Sequence, residues 1–370
     1  MTLEQVFGAA LMLVFLADVF LTVLYARAGT GLLAPYWNRA IWALLRSIAK
    51  LFGRRRGLVL SFAGPLIVVL LIVFWALGLT LGAALVIHPE LGTAIRPQNG
   101  PTPTDLVTAL LVAGGSLSIV GGGEYSPHTT GARLLYLANS LIGASVLSLV
   151  LSYLVQVYSA LRERNTLALT IDLMTDATGD AAEMLARLMP GGNSDNAASE
   201  LGNLARSLAS TKEAHHFYPL LFYFRFAEPL YSVSRLSFVL LDLTTLIRSA
   251  LDQRRYGALV SSTAVASLRN GALLLLKTLD RSFPSTGGRA NNTSESGQEG
   301  QSYLAAADTL ARAGIETHAD GLARYVAERR QWEPLARRVA PTLGYTVDDI
   351  DGRRHDRHPG PAPDDVPAGD

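Results

Sequence analysis

Three consecutive glycines, Gly121-Gly122-Gly123, sit inside the stretch SLSIVGGGEYSP from Ser116 to Pro127, between two apolar segments of membrane length. Backbone amides and carbonyls left unpaired in hydrocarbon cost several kcal/mol each, so a glycine loop at that depth cannot face lipid. It has to be buried in protein or line a watery path. The rest of the chain must be arranged to permit one of those two outcomes.

The hydrophobic content is 49%, and nearly all the membrane-length runs lie before Leu161. That distribution describes a membrane protein with a large portion outside the bilayer. A formal net charge of +1 and the lack of a basic patch interleaved with aromatics argue against nucleic acid as a partner. The chain contains no cysteine, which excludes disulfides, thiolate metal sites and cysteine nucleophiles. No paired carboxylates, HExxH motif, nucleophile elbow or phosphate loop stands out, so an enzyme is not expected.

The first apolar segment, Val6 to Ala26, would make a helix of roughly 31 Å, the thickness of the hydrocarbon core. A cleaved signal peptide is the rival reading of Ala26-Arg27-Ala28, but MTLEQ carries no basic residue and Asp18 interrupts the apolar core. The second run extends from Gly57 to Ile87, with Gly64-Pro65 marking helix entry, and the third from about Ala132 to Leu161. Between Ala26 and Gly57 lie seven basic residues and no acidic one, which makes that loop cytoplasmic by the positive-inside rule. The N-terminus is then outside, the glycine loop is external and everything after Arg162 is cytoplasmic. The stretch from His88 to Thr130 holds Glu90, Asp105 and Glu124 against Arg96 alone, a charge balance suited to a cation entrance.

Within the basic loop Trp37, Ile41, Leu44, Leu45 and Ile48 recur at helical spacing, which predicts either an interfacial helix or one packed on protein. Asp18, deep in the first span, is expected to face other helices or water, as a polar anchor before a cation site.

Pro101 to Asp105 reads as a helix start with Thr104 or Asp105 as the cap, and the apolar run Leu106 to Ala113 is too short to span. A helix entering from outside would point its partly negative C-terminal end inward, and the glycines beyond it can expose successive carbonyl oxygens. With its flanking helices this stretch resembles the potassium channel pore family, in the version with one pore loop between two helices. The residues that carry the likeness are Ser118-Ile119-Val120-Gly121-Gly122-Gly123-Glu124, then Pro127, Thr129, Gly131 and Arg133. It covers about Gly57 to Leu161, under a third of the chain.

The resemblance implies an ion filter of Ser118, Ile119, Val120, Gly121, Gly122 and Gly123, a pore mouth at Glu124 and a hinge at Gly143 in the third span. Small neighbours at Ser140, Ala144 and Ser145 equally suit close helix packing at Gly143. Ile119 stands where the family has a ligand-bearing threonine, and Gly122 where it has a bracing aromatic. The likeness therefore extends to cation conduction and stops short of potassium selectivity. Leu147, Leu151, Leu154 and Val155 are candidates for an apolar constriction.

The fold class expected is an all-α membrane protein with three transmembrane helices, a re-entrant pore loop and a helical cytoplasmic domain. The segments are an N-terminal span (1–30), an amphipathic helix (31–56), a pore domain (57–161, with pore helix and filter at 103–127), a helical domain (162–284), a flexible linker (285–302), further helices (303–350) and a disordered tail (351–370). Leu236 to Leu251 is too short to span and contains Asp242 and Arg248, which fits a buried helix of a soluble bundle. Adjacent His215 and His216 do not share a helix face and do not suggest a metal pair.

The function expected is a passive cation channel subunit, a homotetramer around a central pore in a prokaryotic plasma membrane. No cofactor is expected beyond the permeating potassium or other monovalent cation, and no regulatory ligand is legible. The alternative is a membrane sensor or scaffold that keeps this fold and does not conduct.

Overall fold

The computed structural model describes residues 2–25, 31–53, 56–118, 121, 124–282 and 296–355. Among them the structure is almost entirely helical, and three helices are long and apolar enough to cross a membrane: Leu3–Val23, Thr130–Met174 and the stretch Ala63–Glu90. These define a membrane-embedded protein. The bent pair Gln253–Val260 and Thr263–Ser282 passes the same test only when joined across its 61° break. The chain divides into two compact units, one of Met1–Gly53, Phe62–Ser159 and His215–Phe224, the other of Arg54–Ser61, Ala160–Ala214 and Arg225–Asp370.

In the first unit, α1 (Leu3–Val23) opens with a reciprocal cap in which Gln5 N donates to Thr2 Oγ1 and Thr2 N donates back to Gln5 Oε1. After α2 (Ala34–Lys50) and the short α3 (Arg56–Ser61), which belongs to the second unit, comes α4 (Ala63–Ile87). Helices α1 and α4 run antiparallel in close contact: Gly8 lies against Gly82 and Leu85, and Phe15 lies against Gly78. A Cβ on Gly78 would fall 2.2 Å from the Phe15 ring, so glycine is what lets the two backbones approach.

Helix α2 presents Ala34, Asn38 and Trp42 to protein and stacks Trp37 on Phe74 of α4 at 4.3 Å, while Leu44 and Ile48 stay exposed. Of the two readings of this segment, packing on protein describes one face and leaves the other open.

Two short strands were not anticipated. Ile95–Pro97 (β1) pairs antiparallel with Tyr125–Pro127 (β2), Arg96 opposite Ser126, and three-residue strands leave no alternating pattern to read. Between them lies α5 (Leu106–Leu117), and after them α6 (Thr130–Met174).

The second unit contains the continuation of α6 from Ala160, then α7 (Ala181–Leu188), most of α8 (Ala197–Phe217), α9 (Val233–Ser249), α10 (Gln253–Val260), α11 (Thr263–Ser282), α12 (Ser296–Arg312), α13 (Gly321–Arg329), α14 (Glu333–Val339) and α15 (Gly352–His355). Helix α9 is the core: all its residues except Arg235 and Arg248 are buried, including Asp242.

Asp242 is satisfied by a buried ion network. It accepts from Tyr325 Oη at 2.6 Å, from Arg329 Nη1 at 3.3 Å and from Arg353. Arg329 also reaches Glu333 and Asp351 at 2.8 Å each, and Arg353 reaches Asp180 at 2.6 Å. The carboxyls and Tyr325 hold both guanidinium groups protonated, above their ordinary value, against the opposing effect of burial.

Two boundaries require correction. The expected linker 285–302 is helical from Ser296, because its polar residues are held by arginines: Glu299 accepts from Arg330 at 3.0 Å and Ser302 from Arg329 and Arg353. The expected disordered tail 351–370 begins with an ordered piece, because Asp351 and Arg353 belong to the ion network and Gly352 lies against Thr178 and Gly179. Residues 285–295 and 356–370 lie outside the described residues.

Candidate functional site

The first unit organises its polar groups around α5 and the glycine loop. Asp105 caps the helix, its Oδ1 accepting from Thr108 N at 2.8 Å and its Oδ2 from Thr108 Oγ1 at 3.1 Å. The Thr108 backbone bond holds the Asp105 carboxyl below its ordinary value. Of the two candidate caps it is therefore Asp105, and Thr104 instead lends its carbonyl to His88 Nε2 at 3.2 Å.

At the other end, α5 is fastened to α6. Ser116 Oγ donates to Ala113 O at 2.9 Å and accepts from Asn139 Nδ2 at 3.0 Å, both residues being buried. One turn along α6, Gly143 receives the carbonyl of Leu117, and a Cβ there would fall 1.8 Å from that oxygen. The contact explains the glycine by packing, within a helix that runs unbroken from Thr130 to Met174.

Ser118 leaves the helix in extended conformation, its N–H bonding Gly114 O at 2.9 Å. Gly121 N then closes back on Ser118 O at 3.3 Å with a φ of +75°, a left-handed conformation that glycine adopts without strain. Ile119, Val120, Gly122 and Gly123 lie outside the described residues. Glu124 is exposed just before β2, and His128 N donates to Ala94 O at 2.8 Å beside the β1–β2 pair. The loop thus leaves α5 beside Gly143 and returns through a ribbon tied to the end of α4.

Asp18 is fully buried. Its Oδ1 accepts from Leu33 N at 2.7 Å and Ala34 N at 3.2 Å, the otherwise unpaired first amides of α2, while Oδ2 accepts from Trp75 Nε1 of α4 at 2.7 Å. One carboxyl group joins three helices.

A second polar cluster ties the start of α1 to the end of α4. Glu4 Oε1 lies 2.8 Å from His88 Nδ1, and Gln5 Nε2 donates to Glu90 Oε1 at 2.9 Å. His215 is buried with its ring 4.5 Å from that of Phe222, and among the described residues no group of three histidines or carboxylates could hold a metal ion.

Sequence reading singled out Asp18, Gly143 and the loop, and missed Asn139, Ser116, Glu4 and His88. Asn139 did carry a signal, being with Gln156 one of two side-chain amides in the third apolar span, where such a group has to find a partner. Comparison with family models, curated proteins and solved structures finds no match.

Proposed function

We propose that this chain is the subunit of a passive cation channel of potassium-channel type. Four copies surround a central path in a prokaryotic plasma membrane, with the N-terminus outside and the second unit in the cytoplasm. The observation that carries the reading is the way α5 enters and leaves. It is capped at Asp105, too short to span, and fixed at its carbonyl end to Asn139 and Gly143 of a long apolar helix.

A re-entrant helix held in this way aims the negative end of its dipole at the start of the glycine loop, where a partly dehydrated cation would sit. Backbone carbonyls from Ser118 to Gly123 are the proposed ligands, and the exposed Glu124 raises cation concentration at the mouth. Ile119 and Gly122 remove a hydroxyl ring and an aromatic brace from such a path, so weak discrimination between potassium and sodium is the expectation.

The test is the reversal potential of purified protein in planar bilayers under opposed potassium and sodium gradients, with Gly122→Asp as control. A current that the substitution alters, that reverses near zero under the opposed gradients and that shifts toward the cation potential when total salt is made unequal across the bilayer, supports the reading. Absence of current over a range of voltage, pH and calcium, from protein of four-chain mass, favours the non-conducting scaffold.

A further inference from the structure

Helix α6 is the least covered of the three spans: 11% of its most apolar window is buried inside the chain, against 28% for α1 and 44% for the helix beginning at Ala63. One stripe of its open face, beside the exposed Ser148, Ser152, Gln156, Glu163 and Thr170, follows an order. Leu147, Leu151, Val155, Tyr158, Leu169 and Leu173 are 44%, 55%, 65%, 47%, 43% and 66% exposed. With Arg162 and Thr166, also exposed, they recur at steps of four, four, three, four, four, three and four. That is an eleven-residue repeat, which keeps a seam on one face of a helix with only a shallow right-handed drift.

Lipid accounts for such a seam only as far as the bilayer reaches. The forty-five residues of α6 make about 67 Å of helix, against roughly 30 Å of hydrocarbon. Leu169 and Leu173 lie beyond Arg162 and Arg164, with Leu173 about 18 Å along the axis from Leu161. An exposed leucine pair in register with the apolar seam above it, but past the membrane, calls for a protein cover.

We infer that this cover is the same segment of neighbouring copies: the part of α6 from Arg162 to Met174 associates in parallel with its counterparts, as a bundle below the membrane. The inference rests on the channel reading, in which α6 is the helix nearest the symmetry axis. A helix unbroken through Met174 carries that proximity into the cytoplasm, and all copies in one membrane run in the same direction. Arg162 and Thr166 interrupt the apolar seam at the exit from the bilayer, where the equivalent arginines of neighbouring copies extend outward into water rather than face one another. Beside the seam, an open groove of about 390 Å³ lined by Thr166 and Thr170 of α6 and Asn203 and Ser207 of α8 leaves room for a neighbour's side chains.

The chain has no cysteine, so single-cysteine variants of the full-length protein report proximity without background. Leu169→Cys and Leu173→Cys in lipid nanodiscs, oxidised with copper phenanthroline, should form cross-linked dimers within minutes. Leu304→Cys, at a leucine 61% exposed on α12, should not. Cross-linking at Leu304 as strong as at the seam, or none at the seam from assemblies of four-chain mass, overturns the inference while leaving the channel reading in place. Seam cross-links in a protein that passes no current support the inference and count against conduction. A single-chain mass in nanodiscs overturns both.

Discussion

The side-chain amide of Asn139 donates to Ser116 Oγ at 3.0 Å inside the first unit, one turn from the point where Gly143 meets the carbonyl of Leu117. The hydrogen bond and the contact act on consecutive residues at the end of α5, so the position of that end is determined twice. The hydrogen bond sets direction and the missing Cβ sets distance. In the channel reading, this pair positions the first residue of the filter.

Gly143→Ala should therefore be the more damaging change of the two. A methyl group 1.8 Å from a backbone oxygen must push the helices apart, a strain of about 1–3 kcal/mol. Asn139→Ala loses one bond of about 1 kcal/mol and leaves Ser116 with its bond to Ala113. Thermal unfolding in detergent should rank them in that order, and both should lower single-channel conductance. Equal Tm values for Gly143→Ala and the parent would show that α5 and α6 are not in contact there.

Asp18→Ala should loosen α2 from α1 and α4 together, because it leaves Leu33 N, Ala34 N and Trp75 Nε1 without their acceptor. At about 1–3 kcal/mol for each buried donor left unsatisfied, the loss should be several kcal/mol. Trp75 is almost completely buried, so a red-shifted and more quenchable tryptophan emission is the readout.

Arg353→Met should destabilise the second unit by about 3–5 kcal/mol, since it strips Asp242 and Asp180 of a buried partner. A double variant, Asp242→Leu with Arg353→Met, should recover part of that loss, because no unpaired charge from this pair is left in the core. Chemical denaturation followed by circular dichroism distinguishes the two.

Acid should weaken the same unit through Glu333. Burial opposes ionisation of this carboxyl, but Arg329 and Arg337 together hold it below its ordinary value of 4.5. A carboxyl lowered by folding contributes stability above its unfolded value, and the contribution is lost as pH falls through the lower native one. Stability should accordingly decline below about pH 4.5 more steeply in the parent than in Glu333→Gln. Identical acid unfolding curves would remove Glu333 as a cause.

Much of this architecture was legible locally. Apolar length marks the spans, Thr104 or Asp105 ahead of an apolar run marks the start of α5, and Asp242 in a helix too short to cross marks a buried helix. What escaped was the pairing of distant polar residues. The segment after Ser296 looked like a linker because its own composition is polar, and Arg353 looked like part of a loose tail. Each is ordered by partners far away in the chain, Glu299 by Arg330 and Arg353 by Asp242.

The division follows from range. Hydrophobic periodicity and caps act within a few residues of one another, so the sequence by itself determined the membrane character and the helical class. Which carboxyl meets which arginine, which serine receives Asn139, and which oxygen occupies the space that Gly143 leaves open depend on helices brought together across the chain. Only the tertiary structure decided those contacts, because buried polar groups are satisfied by whatever the packing places within about 3 Å of them.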